Sequence, residues 1–499
     1  MKFRVKNLAI GTGNTMIALI NYIDADKYDL HFSDRVRIRK GKREIIASID
    51  ITDSHEIVLP GQIGLFEEVY REIRTRDDDI VTIHIDEKPL SLHYIRKKLD
   101  GHKLKYDEMK AIVDDLIKNK LTDVELAYFV ASTYMHEMTV DETVALTRAI
   151  VKTGETLRIK SKIVVDKHCI GGVAGNRTTM MLVPIVAAAG LVIPKTSSRA
   201  ITSAAGTSDT VEVLCDVCLS KDRMESIVNT AGGCLVWGGA VNLAPADDKI
   251  IRVERPLSLD PLGQLLASIL AKKKSVSATH LIIDIPIGRG SKTESKKKAY
   301  LLKRRFENIS KKIGINTRVV LTDGTQPVGN GIGPALEARD VLWTLQNSVR
   351  GANDLKEKSI MLAGEIFDMV KKTRKGEGKK LAREIVESGK AYLKFIEIIK
   401  AQDAKIIYPE QIDIGEFSHA IESPRMGRIA HVDNKAVNRI CRIAGAPHDH
   451  GAGIYLEVHK GDLVKKRNKL FTIYSNSKER LKYAVEAVKY LEPIEIKAV

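Results

Sequence analysis

The chain has 499 residues, 44% hydrophobic and 29% charged, a balance that excludes long disorder and a length that excludes a single compact core. A formal net charge of +16 suits an anionic partner such as phosphate or a nucleotide, or else a solvated lysine-rich surface; with 5% aromatics and no basic stretch interleaved with them, nucleic-acid stacking platforms are excluded. No run approaches the ~18 apolar residues of a membrane span, and Met1-Lys2-Phe3-Arg4-Val5 opens no signal-peptide core, so a cytoplasmic protein is expected.

Residues 1–84 read as a small β-rich domain, with strand-like runs at Phe3–Ile10, Arg35–Arg39, Glu44–Ile51 and Ile80–Ile85. Gly11-Thr12-Gly13 lacks the third glycine of a dinucleotide loop and reads as a turn. Residues 88–156 become helical, and Thr122-x-x-Glu125 and Thr139-x-x-Glu142 each have the form of a capping box. Residues 160–420 alternate short apolar strands (163–165, 191–193, 281–285, 318–321) with helices, one of them near 178–189, which predicts an α/β domain with a mostly parallel sheet. Residues 421–499 close the chain as an α+β unit. The expected fold class is therefore multidomain α/β.

The five cysteines are few for this length and fit a reducing compartment; Cys215-Asp-Val-Cys218 has no second pair to make a zinc site and is expected to pack a helix. His448-Asp-His450 has no further ligand nearby in sequence, so no metal is expected.

Two segments concentrate the chemistry. Asp166-Lys-His-Cys-Ile-Gly-Gly-Val-Ala-Gly-Asn176 runs from a predicted strand into a predicted helix. Its glycines let backbone approach a ligand, the helix start offers unpaired N–H groups, and Lys167 adds a full charge, so a phosphate cradle is expected. It is not a Walker loop, whose residue order is absent. The second segment, Lys195 to Glu212, also runs from strand to helix, is rich in Ser and Thr, and carries Arg199, whose fork suits a substrate phosphate or a structural salt bridge. Two such loops could face one anion at the carboxyl edge of a sheet.

These segments resemble the thymidine/pyrimidine-nucleoside phosphorylase family. The resemblance rests on Lys167–Gly172 and on Ser197–Glu212, whose long S-[GS]-R-[GA]-[LIV]-type pattern is highly specific, with echoes at Ala267–Lys273, Asp323–Gly329 and Ala335–Glu337; it covers residues 88–499. The additional domain at 1–84, with Ser198–Ser203 and Glu254–Pro261, makes the chain similar to the archaeal AMP phosphorylase branch of that family. The resemblance implies phosphorolysis of AMP, with CMP and UMP as further candidate substrates, to free base and ribose 1,5-bisphosphate, with no cofactor or metal, by a homodimer or larger homo-oligomer. A pyrimidine-nucleoside phosphorylase is the nearest alternative; a phosphoribosyltransferase and a non-enzymatic nucleotide sensor are more distant ones.

The same resemblance puts the attacking phosphate on Lys167, Cys169, Thr179, Ser197 and Thr207. It puts the nucleotide on Gly172, Ser198, Arg199, Ala200, Ile201, Thr202, Ser203, Thr207, Ser268, Lys272 and Lys292, with His168 beside the base. Cys169 departs from the family's serine, and a thiol is the weaker donor. Asp260 falls on the proton donor. A carboxylic acid with an ordinary pKa near ~4 needs burial to stay protonated, and Leu257, Leu259, Pro261 and Leu262 would supply apolar cover. The Asp-Pro-Leu order also suits a helix start, and both readings stand.

Overall fold

A computed structural model describes residues 1–13, 15–257 and 259–498, without the side chains of Arg255 and Leu257. Of the Asp260 environment, Ser258 and the Leu257 side chain therefore lie outside the described residues. The chain divides into two compact units, residues 1–153 with 245–265, and residues 154–244 with 266–499.

The first unit opens with a closed six-stranded barrel, in strand order Lys2–Asn7, Gln62–Leu65, Ile17–Asn21, Arg43–Thr52, Arg35–Lys40 and Ile80–Ile85. Alternation explains it: Phe3 and Val5, Val36 and Ile38, and Val81 and Ile83 point inward, while their neighbours stay more exposed. Closure removes the sheet edges that would otherwise template pairing with other chains. The helical layer follows. Both expected capping boxes form: Thr122 Oγ1 accepts from Glu125 N at 3.2 Å and Thr139 Oγ1 from Glu142 N at 3.2 Å, with each glutamate reaching back to the threonine N–H. The helix Pro245–Leu257 packs on the helices Tyr106–Ile117, Asp123–Met135 and Val140–Thr153, so the chain leaves the α/β body at 245 and re-enters it at 266.

The second unit is built on parallel strands. Asn316–Asp323, His280–Ile287 and Val165–Cys169 form one ladder, Ile193–Ser197 and Gly233–Trp237 another, and a parallel bridge between Val164 and Val192 joins the two. Such strands are covered on both faces and read as apolar runs: Leu281, Ile282, Ile283 and Ile285 are all fully buried. The helix Thr178–Ala188 is buried from Thr178 to Ala187, which explains its lack of a polar face. Each fully buried Leu, Ile or Met here contributes roughly 1.5–3 kcal/mol against exposure.

The C-terminal part carries a four-stranded sheet (331–332, 453–456, 469–475 and 417–422) and a three-stranded one (463–464, 427–432 and 494–497) around the helices Asn434–Ala444 and Lys478–Leu491. Of the two cysteines expected to pack a helix, Cys215 is buried in the α/β core among helix residues, where Gln402 Nε2 donates to its Sγ at 3.7 Å, and Cys218 is exposed. Among the described residues no helix is long and apolar enough to cross a membrane.

Candidate active site

Three consecutive-neighbour strands of the parallel sheet end at the same edge, and each is followed by a loop that carries candidate residues. The loop after Val165–Cys169 holds three glycines at positive φ, Gly171, Gly172 and Gly175. Gly172 is obligatory for a second reason: a Cβ there would lie 2.3 Å from the backbone nitrogen of Lys292, in the loop after His280–Ile287. The loop after Ile193–Ser197 folds back on itself at Gly206, where a Cβ would meet the Ser198 carbonyl at 2.5 Å. Glycine thus permits both close approaches.

Lys167 is 1% exposed, and its ammonium donates to Thr178 Oγ1 at 2.9 Å and Thr179 Oγ1 at 3.2 Å. Among the described residues no carboxylate pairs with it. Burial pushes its pKa down, while the field of Asp284 acts in the opposite sense. Asp284 is itself engaged with Lys358 at 3.3 Å and with the Thr322 hydroxyl at 2.5 Å. A buried cation with only neutral hydrogen-bond partners is costly, and an arriving anion relieves that cost. His168 is held neutral, its pKa driven well down by burial and by Lys273, Lys195, Lys167 and Lys292. Burial pushes the Cys169 thiol up, so it stays protonated, and Asn176 Nδ2 donates to its sulfur at 3.6 Å.

The two principal loops are tied to each other. Arg177 Nη1 donates to Thr207 Oγ1 at 2.9 Å and Nη2 to the Ala205 carbonyl at 2.9 Å, and its guanidinium pairs with Glu337. Lys167 and Thr207 therefore lie at one edge of one sheet, linked through Thr178, Thr179 and Arg177. Ser197 Oγ bonds Ser208 Oγ at 2.9 Å, which fixes the start of the second loop against its end. From the C-terminal part, the helix Asn434–Ala444 holds both loops: Asn434 Oδ1 accepts from Ala174 N at 3.0 Å, Asn438 Oδ1 from Ala204 N at 2.8 Å, and Arg442 donates to the Ile201 carbonyl at 3.0 Å.

Beneath the loops, Asp166 is shared by two lysines, Lys273 at 2.8 Å and Lys195 at 3.8 Å. One carboxylate cannot neutralise both, and Lys195, buried and facing Lys273, is pushed down to about 7. Arg177 and the Asn434 helix were outside the sequence reading, and Asp166, Lys195, Lys273 and Glu337 stood in its segments without a role. Their partners are distant in sequence, Glu337 being 160 residues from Arg177, so no local spacing announces them.

Other expected residues fall as follows. Ser198, Ile201, Thr202 and Lys292 are exposed; Ala200, Ser203, Ser268 and Lys272 are half-buried, the last two four apart on the helix Leu262–Ser275. Arg199 has its fork engaged within its own segment. Glu212 takes it in a bidentate pair at 2.5 and 2.6 Å, Asp209 adds a contact at 3.3 Å, and the guanidinium stacks 5.0 Å from the centre of a Trp237 ring. The salt-bridge reading of Arg199 is the one the structure shows. Asp260, expected to be buried, is exposed; Pro261 and Gly263 beside it are the buried positions. Among the described residues no group of three or more His, Cys, Asp or Glu could hold a metal ion.

Three family models match in chain order: the glycosyl transferase family helical bundle domain at residues 92–154, the glycosyl transferase family a/b domain at 161–392, and the pyrimidine nucleoside phosphorylase C-terminal domain at 428–495. An AMP phosphorylase of Pyrococcus furiosus is 46% identical over 497 residues, 99% of this chain and 98% of its own. A Legionella pneumophila protein that carries a provisional thymidine phosphorylase name is 42% identical over 492 residues, 97% of this chain and 93% of its own. Among solved structures, anthranilate phosphoribosyltransferase from Thermus thermophilus superposes with a TM-score of 0.54 at 19% identity, over 62% of this chain and 99% of that one, a likeness of fold.

Fold and cradle together define a pentosyltransferase, an enzyme that moves a sugar between a base and an anion. Within that class, the chain belongs to the AMP phosphorylase family, to which it is similar from end to end.

Proposed function

We propose that this protein cleaves the base–sugar bond of AMP with inorganic phosphate, releasing adenine and ribose 1,5-bisphosphate. The observation that carries the reading is Lys167, a buried ammonium with hydroxyls for partners, at the mouth of a glycine loop that opens onto a helix start. Phosphate held there attacks the anomeric carbon as the base leaves, and its charge stabilises the oxocarbenium-like sugar. Cys169, Thr179, Ser197 and Thr207 supply the neutral contacts to phosphate, and Gly172, the 198–203 loop, Ser268, Lys272 and Lys292 those to the nucleotide. His168, neutral, stacks or bonds beside the base without adding charge.

The departing base needs a proton, and the family resemblance supports Asp260 as its source. Asp260→Asn is expected to lower turnover by about 10²–10⁴-fold while AMP still binds; near-normal turnover would remove the residue from the mechanism. The resemblance also supports a homodimer or larger homo-oligomer working in the cytoplasm.

The test of the reaction is product analysis. AMP with phosphate should give ribose 1,5-bisphosphate, insensitive to EDTA, while adenosine and uridine react poorly. Faster turnover of uridine or thymidine than of AMP would establish the nucleoside phosphorylase reading instead, which the Legionella relative's name keeps in view.

A further inference from the structure

We propose that Arg177 is a positioning residue of the phosphate site and acts through Thr207: by donating to the Thr207 hydroxyl oxygen, it leaves that hydroxyl's own proton for the bound anion. The proposal rests on the phosphorolysis reading for the identity of the anion.

The geometry assigns this role in three steps. Arg177 is 8% exposed and both its terminal nitrogens are used: Nη1 reaches Thr207 Oγ1 at 2.9 Å and Nη2 the Ala205 carbonyl at 2.9 Å, while Glu337 faces its Nε as the counter-ion. Glu337 is in turn held by the Thr210 hydroxyl at 2.8 Å and the Gly333 N–H at 3.3 Å. With its charge cancelled, Arg177 is poorly placed to be the anion's counter-ion, and what remains is direction.

A hydroxyl has one proton and two lone pairs. An N–H donated to Thr207 Oγ1 occupies a lone pair, so the O–H must point away from the guanidinium. Among the described residues that O–H has no acceptor. The same logic applies across the site: Lys167 donates to Thr179 Oγ1 at 3.2 Å, and the Thr179 O–H likewise has no acceptor there. Thr178, the other hydroxyl on Lys167, spends its proton on Asn176 Oδ1 at 3.0 Å. Two threonines that the family resemblance gives to phosphate are thus each oriented as donors by a cation behind them. A preorganised donor costs nothing to turn when the anion arrives.

A double-mutant cycle tests the assignment. Arg177→Met, Thr207→Val and the double variant are compared by the KM for phosphate, the KM for AMP, the melting temperature, and inorganic phosphate binding by calorimetry without AMP. Each single variant should weaken phosphate by about ten- to hundred-fold, the loss of a hydrogen bond to a charged group. The double should be no worse than the weaker single to within about two-fold, because both changes remove one interaction. The KM for AMP should hold in the Arg177 variants, which touch no residue assigned to the nucleotide except through Thr207.

Arg177→Lys keeps the charge facing Glu337 but cannot reach three partners at once, so it should retain the melting temperature and still lose phosphate affinity. It replaces the methionine variant in the cycle if that one does not fold. Losses that multiply would mean Arg177 meets the anion directly and would overturn the proposal. So would a fall in melting temperature with unchanged phosphate affinity. Wild-type protein that binds no phosphate would sink the phosphorolysis reading itself, whereas wild-type binding that survives unchanged in both Arg177 variants would sink the Arg177 role alone.

Discussion

Lys98 in the helical layer and Lys167 in the α/β body are each 1% exposed, yet they end on opposite kinds of partner. Lys98 meets Glu142 at 2.8 Å, and the same carboxylate also takes the Leu104 N–H at 3.0 Å and the Thr139 cap, which together with Lys98 hold its pKa down against burial. That charge is finished: everything it needs is inside the fold. Lys167 has two hydroxyls and, among the described residues, no paired carboxylate. Burial alone therefore says nothing about purpose. The completeness of a buried cation's partners separates a residue that holds the fold from one that waits for a ligand. Arg199 belongs with Lys98 by this criterion, since Glu212 and Asp209 already satisfy it.

The comparison is broken most severely at Lys98. Lys98→Met leaves Glu142 as a buried carboxylate without its cation, and such a break costs about 3–5 kcal/mol. A large drop in the denaturant midpoint is expected, with the KM values of the surviving folded protein unchanged. A mild effect on stability would mean that Glu142's backbone contacts suffice and that the pair is incidental.

Lys167→Met should do the reverse. With no counter-ion lost, the fold should be no less stable, and kcat/KM should fall by about 10²–10³-fold, as for removal of one preorganised electrostatic group. Steady-state kinetics and thermal melts on one preparation check both halves. A protein that melts early but turns over normally would place Lys167 with Lys98 and dissolve the distinction.

Lys195 lies between these extremes, with half a partner in Asp166. Its folded pKa of about 7 is below its ordinary 10.5, so between those values the unfolded chain holds a proton that the native state has released. Stability should then rise with pH across that window, by at most about 1.4 kcal/mol per pH unit. Lys195→Met should flatten the rise, and urea midpoints at pH 7 and 9 give the slope. A slope that Lys195→Met leaves unchanged would mean that Asp166 keeps Lys195 charged after all.

How far the sequence reveals this contrast depends on the range of the interaction. The capping boxes at 122–125 and 139–142 were legible because a cap is a local bond, three residues long. The two loops were legible because glycine and hydroxyl content is concentrated where backbone must approach an anion. The barrel was half legible: Ile17–Asn21 and Gln62–Leu65 are short, and only closure against other strands makes them strands. The return of residues 245–257 to the helical layer, the Arg177–Glu337 pair and the Asn434 helix behind both loops depend on contacts between distant segments. Arg199 shows the complementary case: both a substrate phosphate and a salt bridge were open from the sequence, and only coordinates reveal that Glu212, inside the same motif, pairs with the fork.

Cys169 gives the smallest expected effect and the finest test of the waiting site. Its thiol is neutral, pushed up by burial, and its contact in the structure is the long Asn176 bond at 3.6 Å. Cys169→Ser exchanges a weak donor for a strong one of smaller size two residues after the buried Lys167. The added hydrogen bond is worth about 0.5–1.5 kcal/mol at most, so the KM for phosphate should fall a few-fold while the KM for AMP stays put. The melting temperature should barely move, because nothing charged changes. A rise in the phosphate KM would mean that the position 169 side chain packs the loop instead of facing the anion, and that the cradle is made by backbone, Lys167 and the oriented threonines alone.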